Sequence, residues 1–222
     1  MGEPAKAEGR SAARNRAPAE RSDAIIGAAM EEFAANGYAG ARLDDVAARA
    51  GVSKGLVYVY FETKEALFKA VVRRVLVPRF ESLIADTEAS PLTTAELLRG
   101  PVLAFMQSLP KSRLRVLLRL MIAEGPKHPD LTAFYHAEVI ARGTAFLRGL
   151  LRRGVARGEL RANALEEFPQ LVIAPMLVAV VWSMLFERHA PLDTDRMLAA
   201  HIDLLIRAIG IDPTTSDPAG AP

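Results

Sequence analysis

AGVSKGLVYVYFETKEAL, residues 50–67, carries two helix starts within a short span. Ser53 and Thr63 are side chains of the kind that accept a backbone N–H at a helix N-terminus. Gly51 supplies the backbone freedom for a tight turn just before the first of them. Lys54 to Phe61 is predicted as one short helix. The preceding residues 43–50 form another, with Leu43, Val46, Ala47 and Ala50 on one face. Two short helices joined by Gly51-Val52-Ser53 are a helix-turn-helix signal. In that arrangement the second helix projects into the ~12 Å major groove and the first crosses behind it. Val52 and Val57 are expected to face inward and lock the pair. Lys54, Gly55, Leu56, Tyr58 and Val59 then face outward, with Tyr60 toward the far end.

Working outward, a helix is predicted from Ser22 or Asp23 to Asn36, where Ile26, Met30 and Phe33 recur at helical spacing and Gly37 suits the C-terminal cap. Thr63 caps a fourth helix through Leu67, Phe68 and Val71, which Pro78 is expected to kink or end. Five more helices are expected near 94–108, 112–124, 130–156, 164–189 and 194–209. No strand-like alternation persists, so the fold expected is all-α, about nine helices. It comprises an N-terminal three-helix DNA-binding domain over 21–70 and a helical ligand-binding and dimerisation domain over 71–212. Residues 1–20 are expected to be a disordered arm and 213–222 a disordered tail.

Residues 37–67 as a whole resemble the TetR/AcrR family of transcriptional regulators. The matching elements are Gly37-Tyr38, Val46-Ala47, Ala50 to Gly55, Val57 to Phe61 and Lys64-Glu65-Ala66-Leu67. The resemblance implies a homodimeric regulator of the repressor type on a near-palindromic double-stranded operator, released by a small hydrophobic effector. It also implies roles for single residues. Lys54 reaches a base edge or a phosphate, Gly55 lets the backbone approach DNA, and Tyr58, Tyr60 and Lys64 bond phosphates. Arg42 stands where relatives usually carry Thr or Ser, so a cation replaces a capping hydroxyl; it is added as a phosphate contact. Leu56 and Val59 make the reading face unusually apolar and suit thymine methyls. With Ser53, these residues complete the expected DNA-binding set. Tyr58 and Tyr60 have an alternative reading as core aromatics, and Arg10, Arg14, Arg16 and Arg21 as a solvated tail in place of an arm on the phosphate backbone.

Composition excludes much else. Cysteine is absent, which removes disulfides, thiolate metal sites and cysteine nucleophiles. The net charge is only +2, and 12 of the 28 basic and 10 of the 26 acidic residues lie in 1–75. DNA affinity must therefore come from local placement of cations. No nucleophile elbow, phosphate-cradling glycine loop or metal-ligand spacing is present, so neither catalysis, metal nor cofactor is expected. His128, His136, His189 and His201 form no short-spaced pair. No apolar run follows the N-terminal charges, and the longest, Leu171–Phe186, is broken by Pro175 and too short to span a bilayer. A cytoplasmic protein without membrane contact is expected.

Leu171–Phe186 is apolar all round, which indicates burial on every side. A second subunit provides that burial, and residues about 165–209 are the expected dimer interface. An ordinary central helix is the alternative. Met106, Met121, Phe134 and Trp182 lie near apolar stripes of different helices. They are the expected lining of an effector cavity, with His136 or Arg142 as polar anchors. The same residues would serve a packed core, and a C-terminal domain that answers to a protein partner or to no ligand is the other reading.

Overall fold

Apolar residues at helical spacing run through most of the chain, and the structure turns them into helices. The computed structural model describes residues 17–88, 90–161 and 165–210; of the arm expected over 1–20, residues 1–16 lie outside them and 18–20 are helical, and the tail expected over 213–222 lies outside them. The helices are α1 (Pro18–Gly40), α2 (Leu43–Ala50), α3 (Lys54–Tyr60), α4 (Lys64–Val75), α5 (Val77–Glu88) and α6 (Thr94–Leu97). They continue with α7 (Leu103–Lys111), α8 (Leu114–Glu124), α9 (Pro129–Tyr135), α10 (Ala141–Ala156), α11 (Gln170–Leu185) and α12 (Thr194–Ile209). A π-helical turn at Leu98–Val102 joins α6 to α7, and another at His136–Ile140 joins α9 to α10. With α4 and α5 taken as one helix kinked at Leu76, the described residues form nine helical runs. The all-α expectation with an N-terminal helix-turn-helix holds.

Local chemistry explains the boundaries. α1 starts at Pro18, four residues before the first expected cap, because proline fits the first helical turn and Glu20 accepts the Ala17 N–H at 3.1 Å. Gly37 breaks its regularity with φ 70° and ψ 178°, a conformation that side-chain-bearing residues rarely take. Pro78 sits in the first turn of α5, so the break falls just ahead of it, at Leu76. Pro101 has no N–H to close an i→i−4 bond, and the ladder widens into the π turn around it.

The described chain divides into two compact units, 17–78 with Val116–Glu138, and Arg79–Arg115 with 139–210. The boundary expected near residue 70 thus lies inside α4, and α8 and α9 belong with the N-terminal helices. The reason is specific contact. Arg119 donates to the Ala34 carbonyl at 2.7 Å, and the His128 ring meets Tyr38 edge-on at 4.9 Å. The core of this first unit is an aromatic cluster of Phe33, Tyr38 and Phe68, with ring centroids 5.7–5.9 Å apart. Around it Ile25, Val57, Leu67 and Leu117 are fully buried.

In the second unit α11 packs on α7 and α12, and α12 packs on α7. Met106, Leu151, Val172, Ala179, Leu198 and Ile202 are central to its core. Arg99 pairs with Asp203 at 2.8 Å across the surface of this packing. Among the described residues no helix is long and apolar enough to cross a membrane.

Candidate nucleic-acid interface

The turn between α2 and α3 follows from three residues. Gly51 takes the left-handed conformation, φ 70° and ψ 26°, and ends α2. Ser53 accepts the Leu56 N–H at 3.2 Å and starts α3. Val57 is completely buried and holds α3 to the unit. At 3.6 residues per turn, Gly55 and Val59 then stand opposite Val57, flanked by Leu56 and Tyr58. The exposures agree: Val59 is 79% exposed and Tyr58 43%. Both are therefore surface residues, and Val59 has the largest exposure of any large apolar side chain described.

Glycine at 55 has no reason inside the chain. A Cβ added there meets nothing within 4 Å, and its φ is not in the positive region. Glycine in a helix costs roughly 0.5–1 kcal/mol against alanine. The outward face therefore carries a destabilising residue whose effect is to leave space.

The cations and hydroxyls are held in several ways. Lys54 pairs with Asp44 at 2.9 Å, and that hydrogen bond and charge push its ammonium above the usual lysine range. Arg42 is exposed at the start of α2 and makes no capping bond, as expected where a cation replaces a hydroxyl. Tyr60 is half-buried and donates its hydroxyl to the Pro18 carbonyl at 3.2 Å, tying the end of α3 to the start of α1. Lys64 donates to the Ala39 and Ala41 carbonyls at 3.0 and 3.1 Å and lies over the Tyr38 ring at 4.9 Å. Burial lowers its basicity, and Glu124 partly opposes that. Lys64 is thus a clamp on the α1–α2 loop, with two of its three ammonium donors directed inward.

One supporting pair is missing from the sequence reading. Glu32 is 1% exposed and accepts from Arg49 at 3.1 Å and from Asn36, which fastens α2 to α1. Its signal was present: Glu32 falls on the apolar stripe of Ile25, Ala29 and Phe33, where a charge needs a buried partner.

The residues expected to line an effector cavity fall in both units. Met106 and Trp182 belong to the second unit, and Met121, Phe134 and His136 to the first. Met106 is buried in its core, and Trp182 donates to the Ala190 carbonyl at 2.6 Å. Phe134 lies under Lys69 and Arg73, at 5.5 and 4.9 Å, and His136 is exposed. Within the second unit an open cleft of about 560 Å³ lies between α5 and α10. Ile84, Thr87, Glu88, Arg142, Phe146 and Arg153 are among its lining, which includes the second expected anchor and none of the five. Arg153 donates to the Thr87, Ser90 and Leu92 carbonyls at 2.8–2.9 Å and fixes the chain beyond α5.

Comparison with known proteins assigns the same segment. Residues 25–71 match the model for bacterial regulatory proteins of the tetR family, and 94–204 match the tetracyclin repressor-like C-terminal domain. The HTH-type transcriptional regulator RutR of Escherichia coli K12 is 29% identical over 129 residues, 58% of this chain and 52% of RutR. The chain thus spans about half the length of this curated relative. The complex of SmeT, a repressor of Stenotrophomonas maltophilia, with triclosan aligns at TM-score 0.74 and 24% identity, covering 91% of this chain and 99% of SmeT. FadR of Bacillus subtilis with stearoyl-CoA aligns at 0.70 and 22%, covering 82% and 96%. The left-handed Gly51, the Ser53 cap and the outward-facing α3 all lie within the matched residues 25–71, and the chain belongs to the tetR family of bacterial transcriptional regulators.

Proposed function

We propose that this protein is a cytoplasmic, homodimeric repressor that holds a near-palindromic operator and releases it when a small hydrophobic effector binds. The observation that carries the reading is the outward face of α3, with a glycine that no neighbour requires beside an almost fully exposed valine. Arg42, Lys54 and Tyr58 flank that face and are proposed to meet phosphates, which position the duplex while base contacts specify it. Lys64 retains one donor for a phosphate and otherwise holds the loop beside it.

A dimer is supported by α11. Leu171, Val178 and Leu185 recur every seven residues and are at least half exposed in the single chain, as is Leu204 on α12. A contiguous apolar stripe of this kind marks a protein contact. Effector binding is supported by the cleft beside α10 and by relatives seen with triclosan and stearoyl-CoA. The effector must favour the DNA-incompetent arrangement, since a ligand shifts an equilibrium only by its differential affinity.

Selection of bound sequences from random duplexes by the full chain tests the proposal. The expected product is an inverted repeat whose half-site centres lie one helical turn or a multiple apart, about 34–36 Å or more. It should carry one dimer or a multiple of dimers by light scattering. Failure to enrich any sequence overturns it.

A further inference from the structure

The reading face of α3 lacks the amide and guanidinium side chains that read adenine and guanine, and its one lysine, Lys54, is paired with Asp44. From Ser53 to Tyr60 there is no Asn, Gln, Arg, Asp or Glu. Bidentate recognition of adenine by an amide, or of guanine by a guanidinium, is therefore absent along this helix. Of the four polar side chains that remain, three have partners within the chain, and the fourth, Tyr58, is the phosphate contact proposed above. The Ser53 hydroxyl accepts the Leu56 N–H, Lys54 pairs with Asp44, and Tyr60 donates to Pro18. What stands furthest out is Val59, with half-buried Leu56 and the bare backbone of Gly55 one turn back on either side of it.

A single exposed valine on a protein surface needs no explanation. At this position it has one, because the opposite side of the same short helix is anchored by the buried Val57. In the major groove, the C5-methyl of thymine is the apolar group on the base edges. An apolar face on a groove-reading helix has that methyl to recognise, and the missing side chain at Gly55 lets the helix come close enough to touch it.

We propose that this protein recognises its operator through thymine methyl groups, with Val59 and Leu56 making the contacts. The inference rests on the DNA-binding reading above and adds the chemistry of the readout. Its consequence is a half-site in which defined positions must carry a C5-methyl, whereas hydrogen bonds to those base edges contribute little. Burying one methyl corresponds to about a three- to fivefold change in affinity.

The test uses the full-length protein and the duplex it selects from random DNA. Each thymine is replaced in turn by deoxyuridine, which keeps every hydrogen-bonding group and removes only the methyl. The expected result is a three- to fivefold loss, on the order of one methyl each, at one or two positions per half-site. Val59→Ala or Leu56→Ala should erase the loss at its own position. Val59 is so exposed that its truncation leaves the fold intact, which a thermal melt verifies. In a second arm, a sensitive T·A pair is replaced by C·G with and without a methyl at cytosine C5; the methylated form should bind more tightly. If every uracil duplex binds within twofold of its parent, or if both alanine variants keep the parent's sensitivity, methyl readout is wrong while DNA binding stands. If no duplex is selected at all, the DNA-binding reading fails and this inference with it.

Discussion

Lys64 opens α4 with its ammonium on two loop carbonyls and a tyrosine ring, a placement that depends on the path of residues 39–41. The sequence identified a lysine just after the Thr63 cap, and the resemblance implied a phosphate. Its carbonyl partners were not legible, because their position is set by how α1 ends and α2 begins. Charge-assisted hydrogen bonds contribute about 1.5–3 kcal/mol each, and less where water reaches the groups. Lys64→Ala should therefore lower the stability of the N-terminal unit by about 1–3 kcal/mol, read as an earlier urea midpoint. An unchanged midpoint would remove the clamp. If the third donor does meet a phosphate, the same variant should also flatten the log–log salt dependence of DNA binding by about one unit.

Among the elements, α2 and α6 show how caps and buried pairs set boundaries that periodicity alone leaves loose. α2 has no side-chain cap, and the buried Glu32 pairing with Arg49 holds it instead. Arg49→Ala leaves Glu32 with Asn36 and should cost about 1–3 kcal/mol, since the guanidinium is partly exposed and water can replace some of it. A loss below a few tenths in denaturant unfolding would show the pair to be unimportant. α6 begins with a capping box: Glu96 accepts the Thr93 N–H and hydroxyl, both at 2.8 Å, and Thr93 accepts the Glu96 N–H at 3.3 Å. Those hydrogen bonds hold the Glu96 carboxyl below the usual carboxylate range. A carboxyl whose folded value is depressed stabilises the fold above its unfolded value, near 4.3, and that contribution disappears as the pH falls through the folded value. The stability difference between the wild type and Glu96→Gln should accordingly shrink between about pH 5 and pH 3. A difference that stays constant over that range would contradict it.

The helix-turn-helix and the order of the helices were legible because each rests on a local pattern: Gly51 before Ser53, Thr63 before Lys64, apolar stripes between prolines. The grouping of α8 and α9 with the N-terminal helices was not, because it depends on long-range contacts such as Arg119 with Ala34. Which side of α11 is free was hidden for a similar reason. A helix apolar all round has no periodicity to show that Ala179 faces the unit's own core while Val178 beside it is half exposed. A dimer test therefore belongs at Val178 and Leu204. Replacing both by Asp should give folded monomers by light scattering, whereas Ala179→Asp should unfold the second unit. A double variant that stays dimeric would move the interface elsewhere.

The central claim is that the outward face of α3 is the surface that holds DNA, and Gly55 tests it most directly. A Cβ there meets nothing within 4 Å in the free protein, and leucine is a better helix former than glycine by roughly 0.8 kcal/mol. Gly55→Leu is therefore predicted to melt at or slightly above the wild-type temperature with its oligomeric state unchanged. Against the selected duplex it should bind at least about a hundredfold more weakly, because the added side chain keeps the helix from closing on the groove. An affinity within about threefold of wild type, in a protein equally well folded, would contradict the account.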